Sequence, residues 1–92
     1  MTEIVRTEGV LGGDPRIAGT RIGVLDVYEL VVDGANPPAN IADQLDLSLG
    51  DVYTALAYYY EHPEEMRELR NTQRERRSEL ARESLSPPNT AE

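Results

Sequence analysis

Between Val24 and Leu69 apolar residues recur at helical spacing in successive short runs, and each run ends on a residue that a helix does not easily absorb. Val24, Val27, Tyr28 and Val31 fall at i, i+3, i+4 and i+7, which predicts a first helix over residues 24–33. Gly34 follows as its left-handed cap. Asn36 offers a cap for a second helix, and Pro37 suits its first position, where a missing N–H costs nothing. That helix covers 37–45, with Ile41 and Leu45 facing inward. Ser48 and Asp51 have the S-x-x-D spacing of a capping box and open a third helix running to about residue 61. Its inward face is Val52, Ala55, Leu56 and Tyr59. His62 serves as a cap before Pro63, because a residue preceding proline is driven from helical ψ. A fourth helix then starts at Pro63, with Glu64 and Glu65 at the positive end of its dipole.

Ahead of these helices, Ile4-Val5-Arg6-Thr7 and Val10-Leu11 read as short strands. Gly12-Gly13-Asp14-Pro15 and Ala18-Gly19-Thr20 supply turn chemistry. The expected fold is mainly α: a helix-turn-helix bundle of three to four helices with a short N-terminal β-hairpin. Residues 41–48 followed by Val52, Ala55 and Leu56 fit the helix-turn-helix spacing. Asp46 takes the turn position that Gly usually holds, as a residue that visits the left-handed region more readily than most. The expected division is 1–69 for the hairpin and helix-turn-helix unit, 70–83 for a polar helical extension, and 84–92 for a disordered tail containing Pro and Ser.

The chain has 92 residues, enough for one domain whose small core a second copy or another partner would help to hold. It has no Cys and one His, which excludes a disulfide framework, a thiolate zinc site and a histidine-rich metal centre. Its acids show no pairing with a base or nucleophile, so neither an enzymatic reaction nor a cofactor is expected. No apolar run approaches the roughly 20 residues that span a bilayer, and Met1-Thr2-Glu3 is not a basic export region; a cytoplasmic protein without membrane contact is expected. Seventeen acids face nine bases, all arginine, for a net charge of −8. A GC-rich genome accounts for the missing Lys but not for the surplus acid, which a salt-accumulating, halophilic organism such as a haloarchaeon would favour.

Three groups of residues are candidates for binding. The first is a DNA-facing set in which Ser48, Tyr53 and Thr54 lie on the would-be recognition helix and Arg16 and Arg21 lie in the hairpin. That helix carries no Arg, Lys, Asn or Gln, so the two hairpin arginines must supply its cations. The alternative for Arg16 and Arg21 is a structural bridge to Asp14 or Asp26. The second group is Arg67, Arg70, Arg74 and Arg77, which share one face of the fourth helix; it reads either as a solvated face among alternating charges or as a docking face for an acidic partner. The third is Tyr58 and Tyr60, which flank the inward Tyr59 and suit a homodimer or partner contact.

The run Gly13-Asp14-Pro15-Arg16-Ile17-Ala18-Gly19-Thr20-Arg21-Ile22-Gly23-Val24, then Gly34-Ala35, Leu49-Gly50-Asp51-Val52 and Ala55-Leu56-Ala57-Tyr58-Tyr59, resembles the family named domain of unknown function 433 over about residues 4–68. The Gly-Thr-Arg-Ile element is the most specific part of the likeness. The resemblance implies a small homeodomain-like or winged-helix-like protein, commonly regarded as the antitoxin-like member of a type II toxin–antitoxin pair. It further implies a PIN-like ribonuclease toxin as partner and repression of its own operon through operator DNA. A DNA-binding regulator with no toxin is the alternative function.

Overall fold

A computed structural model of the chain describes residues 2–85, with side chains described for residues 2–82. Strand β1 (Ile4–Val5) and strand β2 (Arg16–Ile17) form a two-stranded antiparallel sheet pairing Ile4 with Ile17 and Val5 with Arg16. Helix α1 (Val24–Tyr28) continues as a π-helical turn over Glu29–Asp33. Helices α2 (Pro38–Leu45), α3 (Leu49–Glu61) and α4 (Pro63–Leu85) follow. The fold is mainly helical with a small N-terminal sheet, as the apolar spacing predicts.

One buried cluster joins these elements. Val24 and Val27 from α1, Ile41 and Ala42 from α2, Val52 and Ala55 from α3 and Met66 from α4 pack in it together with Ile17 of β2. The sheet is therefore held against the helices by Ile17, with Ile4 packed behind it. Two strands of two residues would not stand alone in water.

Four local expectations need correction. Val10 and Leu11 are not a strand: the N–H groups of Val10, Gly13 and Asp14 bond back to Thr7, Val10 and Leu11, and the chain coils through left-handed Leu11 and Gly12. Pairing resumes only past Pro15, which has no N–H to give a ladder. Gly34 is right-handed (φ −84°), and the left-handed residue is Ala35 (φ 55°). What position 34 requires is space, since a Cβ there would lie 2.8 Å from the Leu30 carbonyl oxygen. Its N–H reaches back five residues to Glu29, which widens the last turn of the first helix into π geometry. Asn36 does not cap α2: its Nδ2 donates to the Leu30 carbonyl at 2.7 Å, and Pro37 is the N-cap with Pro38 at the first helical position. Arg16 bridges to neither Asp14 nor Asp26, for the reason given below.

The turn between α2 and α3 follows the sequence closely. Asp46 is left-handed (φ 58°, ψ 44°). Ser48 and Asp51 cap α3 reciprocally, the Asp51 N–H donating to Ser48 Oγ and the Ser48 N–H to Asp51 Oδ2, each at 3.0 Å.

Helix α4 continues through residues 70–83, the expected helical extension, and two residues into the expected tail; the remainder of that tail, 86–92, lies outside the described residues. Met66 is fully buried and Leu69 and Gln73 are half-buried, but every side chain from Arg74 to Arg82 is exposed. Among the described residues no helix is long and apolar enough to cross a membrane. Met66→Ala should therefore destabilise the protein by about 2–4 kcal/mol, as truncation of a packed core side chain does. Leu80→Ala should change stability by no more than about 0.5 kcal/mol, as expected on an exposed surface; urea unfolding of the two variants tests the contrast.

Candidate functional site

The segment from Pro15 to Val24 is a closed loop built by its own side chains. The Ile17 N–H donates to the Ile22 carbonyl at 3.0 Å and the Val24 N–H to the Pro15 carbonyl at 3.0 Å, so the loop's two ends are tied. Gly19 turns the chain at φ +80°, a conformation that a residue with a Cβ adopts only with strain. The Thr20 hydroxyl donates to the Ile17 carbonyl at 2.8 Å and accepts the Ile22 N–H at 3.0 Å, bracing the turn from inside. Arg16 completes it, donating from Nη1 to the Thr20 carbonyl at 2.8 Å and from Nη2 to the Thr7 hydroxyl at 2.9 Å. The guanidinium fork ties the loop to Thr7 in the preceding turn and is not offered to an external anion. Arg21 is exposed and makes no hydrogen bond or ion pair with a described residue. Asp26 caps α1 instead of pairing with either arginine, its Oδ2 accepting the Gly23 N–H at 3.0 Å.

The candidate DNA face is thus reduced. Ser48, though exposed, is committed to the cap of α3 and Thr54 is half-buried, which leaves Tyr53 and Arg21 as members that are both exposed and uncommitted. Asp51 accepts from the Thr2 hydroxyl as well as from Ser48, and these bonds, Thr2's foremost, hold its carboxyl below the usual value. It remains an anion at the start of the helix that would enter a groove. Helices α2 and α3 together hold Asp43, Asp51 and Glu61, the turn between them adds Asp46, and the stretch has no basic residue.

Around α4 the side chains converge. Tyr28 of α1 and Tyr59 of α3 stack with ring centroids 3.6 Å apart, and Tyr60 meets both edge-on. Arg70 of α4 lies over the Tyr28 ring at 5.3 Å, donates to the Tyr59 hydroxyl at 3.1 Å and pairs with Asp33 at 3.1 Å. The bond to Tyr59 outweighs partial burial and holds this guanidinium charged more firmly than usual. The Tyr28 phenol is pushed above its ordinary value, by its contact with Tyr59 first and burial second. Further along, Arg77 pairs with Glu29 at 3.4 Å. Two of the four patterned arginines are therefore spent on the end of the first helix. Arg67 and Arg74 have no hydrogen bond or ion pair with a described residue, and with Tyr59, Pro63, Arg70 and Asn71 they line an open groove of about 370 Å³.

Of the two outer tyrosines only Tyr60 is available. Tyr58 is half-buried, donates to Glu65 Oε1 at 2.9 Å and stacks on His62, while Arg6 pairs with the same Glu65 carboxylate. His62 closes α3 through its Nδ1, 2.9 Å from the Tyr58 carbonyl oxygen. The partners Tyr28, Asp33 and Glu29 have no signature in linear spacing, because Asp33 and Glu29 meet their arginines across 37 and 48 residues.

A model of a family described as protein of unknown function, DUF433, matches residues 4–59, from β1 to near the end of α3, and stops short of α4. No curated protein and no solved structure matches the chain. The matched stretch includes the braced loop, whose residues divide into internal and external roles. Arg16→Ala removes two hydrogen bonds worth about 1 kcal/mol each and should lower stability by about 1–2 kcal/mol. Arg21→Ala should stay within about 0.5 kcal/mol of the parent; urea midpoints of both variants check this.

Proposed function

Since this chain belongs to the DUF433 family of proteins of unknown function, we propose that it is a non-catalytic, antitoxin-like protein that neutralises a PIN-like ribonuclease toxin by laying the outer part of α4 across it. The observation that carries this reading is the state of that helix. From Arg74 to Arg82 it has no buried or half-buried side chain, and Leu80 is 63 % exposed. A polar helix without tertiary packing is marginal in water, and docking on a partner groove supplies the missing contacts. Arg67 and Arg74, which pair with no described residue, are cations available to the acids that line a metal-dependent nuclease site. Arg70 and Arg77 set the helix in place through Asp33 and Glu29.

Charge distribution favours a protein partner over operator DNA. Residues 2–62 hold ten acids and three arginines, whereas α4 holds six of each. A DNA face needs cations against phosphate, and α2 and α3 offer none. A salt-rich cytoplasm, as in a haloarchaeon, suits a net charge of −8 and weakens phosphate contacts further.

Co-expression with the product of the neighbouring open reading frame, followed by affinity purification, tests the proposal. The expected result is a stable complex that Arg67→Glu with Arg74→Glu weakens at least tenfold and Leu80→Asp also weakens, with the fold of each variant unchanged by circular dichroism. Retention of full affinity by both variants, or elution of the protein alone, would contradict it.

A further inference from the structure

The described residues expose five large apolar side chains, and three of them, Leu49 (44 %), Tyr53 (54 %) and Tyr60 (61 %), stand on α3. With exposed Ala57 they fall at i, i+4, i+8 and i+11, one outward stripe along the length of the helix. The stripe contains no charged residue. Asp51 lies on the far side of α3, bound to Ser48 and Thr2, and Glu61 is at the edge. On a chain of net charge −8 an uncharged strip of this length stands out, and among the described residues nothing covers it.

We propose that the stripe is the contact between two copies of this chain, with α3 of one lying antiparallel on α3 of the other about a two-fold axis. The order of residues along the stripe makes the surface complementary to itself. Read in one direction it runs Leu49, Tyr53, Ala57, Tyr60; reversed, it sets Leu49 against the partner copy's Tyr60 and Tyr53 against the partner copy's Ala57. Each large ring meets a smaller side chain, the size alternation that lets two helices interlock. An acidic protein of another kind would gain no attraction from the strip, and a basic one would find no acid within it. Two copies avoid setting like charges face to face, because their acids lie outside the contact. The exposed area of these side chains comes to about 400 Å² per copy, half of a standard interface, which fits a weak, concentration-dependent dimer. This contact occupies the outer face of α3, so a helix engaged in it cannot also enter a DNA groove.

Sedimentation velocity of the full chain over a concentration series tests the proposal, with Tyr53→Glu and Ala57→Glu as surface variants whose folding is checked by circular dichroism. The expected result is a concentration-dependent dimer that each substitution weakens by at least tenfold and that added salt tightens, because salt screens the repulsion between two acidic chains. Reversal of Arg67 and Arg74 should leave the dimer intact, which separates this contact from toxin binding. A wild-type chain that remains monomeric up to about 1 mM, or a dimer that neither substitution disturbs, would overturn the proposal.

Discussion

Attachment of α4 to the rest of the molecule is limited by how little apolar surface that helix has. Among its described residues Met66 is the one fully buried side chain it contributes, with Leu69 and Gln73 half-buried. Burial of about one Met and one Leu stabilises by a few kcal/mol, enough to seat the first three turns and no more. Arg70, one turn beyond Met66, fixes the direction of the helix by joining α4 to Tyr28 and Tyr59, the stacked rings of the first and third helices. The direction set there determines what is left outside. The surface ion pairs with Asp33 and Glu29 each have one side chain at least 44 % exposed and contribute less than about 1 kcal/mol. They orient the helix without holding its outer half.

Charge is arranged on the same plan. The globular part is strongly acidic, and α4 is balanced, with its free arginines on the face that borders the tyrosine cluster. Among the described residues the outer side of α3 is an extended neutral surface. An acidic body, a neutral helix face and a balanced arm with free guanidinium groups make three surfaces of different chemistry, and each suits a different contact. Phosphate is the ligand least compatible with the body, since Arg16 is consumed by the loop it braces and Arg21 is left as the exposed cation beside it.

Much of this architecture was legible from local rules. The capping box at Ser48 and Asp51, the left-handed Asp46 and the break at His62-Pro63 are decisions made within four residues, and sequence carries such information directly. The failures share a different physics. Gly34 was expected to supply positive φ, but the chain used it for a close backbone approach and passed the left-handed turn to Ala35. Asn36 had two ways to bond, and the Leu30 carbonyl exposed by the widened turn took it. The strand expected at Val10 and Leu11 lost to a coil ending at Pro15. At the candidate site, helical spacing placed four arginines on one face but could not tell which would find an acid, because those acids sit on another helix. Tyr58 likewise looked outward until the turn at Pro63 brought Glu65 beside it.

The central claim is that the outer half of α4, where every described side chain from Arg74 to Arg82 is exposed, is a docking arm. Amide hydrogen exchange of the isolated protein measures this directly, because protection reports local opening residue by residue. Amides of residues 52–59 should exchange near the global unfolding limit while those of 76–82 exchange with little protection, and partner binding should slow the second group. Protection of 76–82 in the isolated protein equal to that of α3 would contradict the account.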